Sequence, residues 1–138
     1  FGCNGIHLIL RWFFSRTHFL ILNTNGLEFR DAHETPNIEF MKQNLAGVPD
    51  SVCQTVVAMH AAPLSDQFKL DYIADYNEVL KQYPNLLFGI SGHEHRQSVR
   101  YPQEGGVPYY LVACAEKETY YIFTLNDDGT YECEEVQV

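Results

Sequence analysis

Basic residues are scarce in this chain, and long hydrophobic runs are missing. Nine Lys and Arg residues stand against 18 Asp and Glu, which gives a formal net charge of −9. Proteins that hold nucleic acid through its phosphates need a basic face, so this charge argues against a nucleic-acid partner. The apolar stretches are too short to span a membrane, and the N-terminus does not have the pattern of a signal peptide. The cellular compartment stays open.

Cysteine is also sparse and widely spaced. The four cysteines show no Cys-x-x-Cys spacing, which argues against a zinc ribbon or a small disulfide scaffold; they are Cys3, Cys53, Cys114 and Cys133. Cys114 lies in an apolar run, where a buried and unreactive thiol is expected. A disulfide is left open.

The composition is that of a globular domain. The 138 residues are 46% hydrophobic and 14% aromatic, which is enough for a core, and one domain is expected. The pattern predicts an N-terminal hairpin, two helices alternating with two strands, and C-terminal antiparallel strands. The first helix is predicted to begin at Thr35, as N-cap. The second is predicted to run from Gln67 to Tyr83, with Ser65 or Asp66 as its cap.

The most informative stretch is a short apolar run that ends in two histidines. Leu86 to Ser91 is followed directly by Gly92-His93-Glu94-His95. Ligands of open α/β sheets bind at the carboxyl ends of strands, and neutral imidazole is the commonest metal ligand among side chains. Gly92 is expected to allow a sharp turn or a positive φ. The pattern predicts either a metal site at His93 and His95 or a polar loop with two surface histidines.

A second strand also ends in a histidine. Thr55 to Met59 is apolar and β-branched, His60 follows it, and Pro63 closes the loop. A helix-length segment separates this strand from Leu86, which predicts a βαβ unit with parallel strands. His60 is therefore predicted to lie at the same sheet edge as His93 and His95.

These two segments together resemble the calcineurin-like metallophosphoesterase superfamily, in which one hydrophobic strand ends in a metal-binding His and a later strand ends in Gly-His-x-His. The resemblance implies a two-sheet αββα sandwich of the α+β or α/β class, with about two main helices and seven to eight strands. It also implies two divalent metal ions, zinc, manganese or iron. By this resemblance His60 and His93 bind one ion, and His95 binds the other.

Three further motifs of that superfamily are missing from this sequence. They are Asp-x-His after the first strand, Gly-Asp-x-x-Asp, which supplies the bridging carboxylate, and Gly-Asn-His. Asp31-Ala32-His33 spells Asp-x-His, but it follows a polar segment, so we do not interpret it as a ligand pair. The resemblance covers only the C-terminal half of the family domain. Residues 1–138 are therefore expected to form a single incomplete domain, and the start at Phe1 without Met agrees with a fragment.

The resemblance implies a metal-dependent phosphoric ester hydrolase, a phosphatase or phosphodiesterase acting on a small phosphoester or a phosphoprotein. The chain alone is expected to be inactive, because no bridging carboxylate is visible. The alternative is a non-catalytic structural or interaction module derived from the fold. Arg96 follows the motif and is a candidate phosphate contact, although a solvated loop arginine is an equal alternative. Half a sandwich would leave apolar faces uncovered, so self-association to a homo-oligomer is expected.

Overall fold

The computed structural model describes residues 10–14, 16–26 and 35–138, the first of these by its backbone alone. Asp31, His33, His7 and Cys3 lie outside the described residues. The described elements are eight strands and two α-helices: β1 (Leu10–Phe14), β2 (Thr17–Leu22), α1 (Ile38–Ala46), β3 (Gln54–Met59), α2 (Ile73–Leu80), β4 (Leu86–Ser91), β5 (Ser98–Arg100), β6 (Tyr109–Leu111), β7 (Thr119–Leu125) and β8 (Tyr131–Gln137).

Six strands form one mixed sheet in the order β1-β2-β3-β4-β6-β5. The four central strands β2, β3, β4 and β6 run parallel to one another, whereas β1 and β5 are antiparallel to their neighbours at the two edges. The β3–α2–β4 connection is the predicted βαβ unit. Since all four parallel strands point the same way, their carboxyl ends share one edge of the sheet.

The two helices cover one face of this sheet. The contact between the layers is a buried apolar cluster whose strand residues alternate along β2, β3 and β6, as expected for a half-sheet face. Its most buried members are Leu20, Met41, Val57, Phe68, Tyr76 and Leu111. Burial of this apolar surface is the main source of stability for the helix layer.

The second sheet is the β7–β8 hairpin, which packs on the opposite face. Phe88 is central to this contact, because its ring stacks on Phe123 at a centroid separation of 4.4 Å and lies 4.5 Å from the ring of Tyr131. Val56 and Leu87 are the other buried members of this cluster, and Phe19, Ile90, Tyr110 and Leu125 also pack against it. The predicted α+β sandwich of two sheets, with two main helices and seven to eight strands, is confirmed.

Helix α1 begins two residues later than predicted. Asn37, not Thr35, is the N-cap: its Oδ1 accepts a hydrogen bond from the Phe40 amide at 2.8 Å. Thr35 is instead buried before the helix starts. Both residue types cap helices well, so the sequence alone did not distinguish them.

Helix α2 is much shorter than the predicted span Gln67–Tyr83. The chain after Pro63 forms turns and a 3₁₀ turn (Leu70–Tyr72) before α2 begins at Ile73. These turns bury Phe68, which is 1% exposed and contacts the Tyr76 ring. Neither Ser65 nor Asp66 caps the helix, so that prediction was wrong.

Cys114 is only half-buried, so the expectation of a buried thiol was wrong; it is a free thiol, as are Cys53 and Cys133. His18 lies inside β2, is fully buried and stacks on Tyr83 with 5.4 Å between ring centroids. Within the described residues, no helix is long and apolar enough to cross a membrane.

Candidate functional site at the carboxyl edge of the parallel strands

The parallel strands end in register, which fixes the position of the residues that follow them. Leu22 pairs with Met59, Met59 with Ser91, and Ser91 with Leu111. The pairing continues one residue beyond β3, because the Gly92 amide donates to the His60 carbonyl at 3.0 Å. The loops after β3 and β4 therefore leave the sheet side by side.

His60 and His93 meet at this edge. Their ring centroids are 5.2 Å apart, with the ring planes at 72°. Two imidazoles that each bind one ion at about 2.1 Å have centroids roughly 5 Å apart, so the observed separation suits a shared ion. The prediction that β3 and β4 bring these two side chains together agrees with this geometry.

Asp66 holds the ring of His93. The distance between Asp66 Oδ1 and His93 Nε2 is 2.8 Å. A carboxylate accepts a hydrogen bond here, so neutral His93 carries its proton on Nε2 and leaves Nδ1 as a lone-pair donor. Metal-binding histidines commonly donate their other nitrogen to a carboxylate in this way. Asp66 thus contacts His93 and is not the helix cap that the sequence predicted.

His95 lies two residues after His93 in the same loop, and its side chain is exposed. The described part of the chain contains no group of three or more His, Cys, Asp or Glu side chains arranged to hold a metal ion. The geometry of the described residues thus gathers two of the three predicted histidines into a close pair. The role of His95 as a ligand of a second ion stays a prediction.

Positive φ angles occur at the histidines of the loop and not at its glycine. His93 has φ 64° and His95 has φ 51°. Gly92 is not among the residues of positive φ, and a Cβ built on it would meet only His60 Nδ1, at 3.8 Å. Of the two expectations for Gly92, the sharp turn is the one observed, because the Glu94 amide donates to the Gly92 carbonyl at 2.8 Å. Non-glycine residues in this region are strained, and such strain is concentrated at functional sites.

A buried hydroxyl fixes the loop that follows His60. Thr24, just beyond β2, is fully buried, and its Oγ1 accepts a hydrogen bond from the Ala61 amide at 3.0 Å. Ala61 and Ala62 are themselves buried. The backbone on either side of His60 is therefore held by the sheet on one side and by Thr24 on the other.

Glu94, which lies between His93 and His95 in the sequence, forms ion pairs with two arginines. Arg100 Nη2 lies 2.6 Å from Glu94 Oε1 and 2.7 Å from Oε2, and Arg96 reaches Oε2 through Nε at 3.0 Å and Nη2 at 2.8 Å. Partial desolvation of Glu94 opposes its ionisation, but the hydrogen bonds and charges of Arg100, and then of Arg96, outweigh it and lower the pKa of the carboxyl. The carboxylate is thus ionised and bridges the two guanidinium groups.

An open cleft of about 710 Å³ lies beside His93. It is lined by Leu64, Ser65, Asp66, His93, Glu94, Arg96 and Arg100. Arg96 was predicted from the sequence as a candidate phosphate contact, whereas Glu94 and Arg100 were not predicted. The available signal was their spacing: Arg96 lies two residues after Glu94 on the loop, and Arg100 lies six residues after it, on β5 at the sheet edge.

The described residues suit part of a metal shell. His60 and His93 have the separation of two ligands, and Asp66 orients one of them, but two imidazoles do not complete the shell of one ion, and a two-ion site also needs a bridging carboxylate. No reaction step through a metal follows from these residues alone.

Comparison with known proteins bears on the fold. No protein-family model matches this chain, and no curated protein matches it. Among solved structures, a Staphylococcus aureus protein provisionally named a 5′-nucleotidase, crystallised in complex with alpha-ketoglutarate, matches with a TM-score of 0.51 and 12% sequence identity. The match covers 94% of this chain and 28% of that chain. At this identity the likeness concerns the fold alone, and this chain spans less than a third of the protein it matches.

Proposed function

We propose that this chain belongs to a metal-dependent phosphoric ester hydrolase and supplies part of its metal site. The observation that supports this most directly is the pairing of His60 and His93 at the carboxyl edge of the parallel strands, 5.2 Å between ring centroids. The distant phosphoesterase-type fold supports the same assignment independently of the histidines. A phosphatase and a phosphodiesterase are both consistent with these features.

In this proposal His60 and His93 bind one ion, and His95 binds a second. In this proposal Asp66 accepts a hydrogen bond from His93 Nε2, which leaves Nδ1 of the same ring as the nitrogen that binds the ion. The bridging carboxylate and the remaining ligands come from a part of the protein outside this sequence. The chain spans 28% of the protein it matches in structure, and the proposal places the missing ligands in a longer functional protein.

The chain's own contribution to the chemistry is positioning. The two backbone segments that carry His60 and His93 are joined by the Gly92–His60 hydrogen bond, and Thr24 fixes the segment after His60. A pair of zinc, manganese or iron ions, when bound, would lower the pKa of a shared water and screen the phosphoryl oxygens. The residues described here would hold and orient that centre, and Asp66 would keep the His93 proton on Nε2.

Metal binding by the purified chain tests this proposal. We expect the chain to bind about one Zn²⁺ or Mn²⁺ in competition with a chromophoric chelator, and His60→Ala and His93→Ala each to weaken this binding at least tenfold. Asp66→Asn should weaken it by about tenfold, because the charged acceptor that orients His93 becomes a neutral amide. His33→Ala is the matched control, because it also removes one imidazole but at a position to which we assign no ligand role.

Turnover separates the ligand role from catalysis. We expect no hydrolysis of p-nitrophenyl phosphate by the chain alone with either metal. Unchanged metal affinity in the His60→Ala, His93→Ala double variant would contradict the proposal. Hydrolysis that persists in that variant would show that the chemistry lies elsewhere.

The second candidate function is a non-catalytic interaction module derived from the same fold. Its support is that the described residues contain no group of three metal-binding side chains. It predicts that the unmodified chain does not retain metal after dialysis, and that Asp66→Asn has no effect on metal affinity.

A further inference from the structure

Two arginines and one carboxylate form a compact charged cluster at the mouth of the cleft. Arg100 uses one nitrogen to reach both oxygens of Glu94, at 2.6 and 2.7 Å. Arg96 reaches Glu94 Oε2 through Nε and Nη2, at 3.0 and 2.8 Å. Each guanidinium has five N–H donors, so each keeps donors that Glu94 does not use.

The cluster is locally positive in an acidic protein. Two guanidinium groups and one carboxylate carry a net charge of +1, whereas the chain as a whole carries −9 with only nine basic residues. Two of those nine line the cleft that also contains His93. Asp66 also lines the cleft, so the cleft as a whole holds two carboxylates and two guanidinium groups, and an anion meets less repulsion there than the net charge of the chain would produce.

The side chains of the two arginines differ in how exposed they are and in how firmly the fold holds them. Arg100 belongs to β5, and its side chain is 25% exposed, so the sheet edge holds it in place. Arg96 lies in the loop, and its side chain is 66% exposed. Exposed ion pairs contribute little stability, so Arg96 can exchange Glu94 for another anion at little cost.

We propose that Arg100 and Arg96 bind the phosphoryl oxygens of a small-molecule phosphate in this cleft. Arg100 is the fixed contact, and Arg96 moves from Glu94 onto the ligand. Glu94 is a positioning residue that holds both guanidinium groups beside His93 in the free protein. The inference rests on the proposed function for the identity of the ligand as a phosphate ester, whereas the anion binding itself needs no metal.

The chemistry of the cluster and the size of the cleft select this ligand class. The planar guanidinium donates two parallel hydrogen bonds to a phosphate or carboxylate, which a lysine cannot do. A cleft of about 710 Å³ falls in the range of small-molecule sites, about 300–1,000 Å³. The substrate phosphate would then lie between the two arginines and the histidine pair.

Phenyl phosphate is the probe, in a metal-free buffer with EDTA. Titration followed by the NMR signals of the arginine Nε–H groups should show saturable shifts at Arg96 and Arg100. Phenol, which has the same ring and no phosphate, should not produce them. Arg96→Gln and Arg100→Gln should each weaken binding by about tenfold, the loss expected for one charge-assisted contact. Lys42→Gln is the control, since it removes one exposed cation from helix α1, away from the cleft.

A second variant separates binding from folding. Arg100→Lys keeps the positive charge and an aliphatic side chain but loses the planar guanidinium that donates two parallel hydrogen bonds. Its affinity for phenyl phosphate should therefore fall between that of the unmodified chain and that of Arg100→Gln. Affinity should also decrease as ionic strength rises, because the contacts are partly exposed. Equal affinity in the unmodified chain, Arg96→Gln and Arg100→Lys would overturn the inference, as would a lack of saturable binding at about 10 mM phenyl phosphate.

The same samples distinguish this inference from the proposed function. His60→Ala should lose metal and still bind phenyl phosphate in EDTA, whereas Arg100→Lys should still bind metal. Phosphate binding without metal binding would contradict the proposed hydrolase function and would still support the anion site. Metal binding without an arginine-dependent phosphate site would remove only this inference.

Discussion

At the residue scale, the clearest buried polar contact is a pair of tyrosines between helix α2 and the sheet. The hydroxyls of Tyr76 and Tyr109 are 2.6 Å apart, and both residues are almost fully buried. Gly89 makes room for this contact, because a Cβ at that position would overlap the Tyr109 ring. A buried hydroxyl without a partner carries a desolvation cost, so the two groups depend on each other.

Removing one hydroxyl should therefore cost more than removing both. Tyr109→Phe leaves the Tyr76 hydroxyl unpaired and should lower the free energy of unfolding by about 1–3 kcal/mol. The double variant Tyr76→Phe, Tyr109→Phe should recover most of that loss, because two apolar rings of the same shape then pack together. Urea unfolding of the two single variants and the double variant gives the coupling energy. Additive losses would show that the hydroxyl pair is not the source of the effect.

The same pair sets an alkaline limit on stability. Burial, with a contribution from the other hydroxyl, raises the pKa of Tyr76, and burial raises the pKa of Tyr109. A group whose pKa is raised by folding contributes stability below its unfolded pKa of about 10 and loses it as the pH rises beyond that value. The unmodified chain should thus become less stable above about pH 10, and the double phenylalanine variant should lose less over the same range. Thermal melts at several alkaline pH values measure the difference, and parallel curves would contradict this account.

At the scale of the elements, the loop after β4 combines strain with the candidate site. His95 adopts φ 51°, a region that costs an L-residue about 1–2 kcal/mol. Since His93 and His95 are both in this conformation, the backbone of the Gly-His-Glu-His loop is held by its surroundings and not by local preference. Strain of this kind is expected where a side chain must be directed at a ligand.

Glycine should relieve that strain at His95. His95→Gly should be more stable than His95→Ala by about 0.5–1 kcal/mol, because relief of the left-handed conformation exceeds the added entropy of an unfolded glycine. The comparison is made in EDTA, so that any metal contact of His95 does not contribute. Exposed Glu104, which is not among the residues of positive φ, is the matched control, and there alanine should be the more stable substitution. The same order of stability at both positions would contradict the assignment of strain.

The elements also show what could be predicted from sequence. Strands β3 and β4 and the histidines that follow them were predicted correctly, because an apolar, β-branched run bounded by turn residues is a local signal. The extent of α2 was wrong, because Phe68 is buried by a turn against Tyr76 and not by helical periodicity. The contact of Asp66 with His93 spans 27 residues, and no local pattern encodes it.

The site shows the same division between local and non-local information. His60 and His93 each follow a parallel strand, so the sheet rule predicted their meeting. Arg100 lies six residues after Glu94, on a strand that pairs antiparallel with β6 at the edge of the sheet. The position of β5 depends on strand order, which the sequence did not establish.

At the scale of the whole molecule, the two sheets are joined by a small aromatic interface. Phe88 of β4 contacts Phe123 and Tyr131 of the β7–β8 hairpin, and Tyr110 of β6 contacts Phe123 at 4.9 Å. The outer face of the same hairpin is open, with Ile122 45% exposed. A two-stranded hairpin is marginally stable alone in water, so its folding depends on this interface.

Substitution on the inner face should therefore release the hairpin without unfolding the rest. Phe123→Ala removes the ring that stacks on Phe88 and should lower amide protection along β7 and β8, while β3 keeps its protection, because the helix layer covers the other face of the six-stranded sheet. Ile122→Ala, one residue away on the outer face, is the matched control and should change stability by no more than about 0.5 kcal/mol. Native-state hydrogen exchange measured strand by strand tests this. Equal losses in β3 and β7 would mean that the two sheets unfold as a single unit, and that the hairpin is as stable as the sheet that carries the histidines.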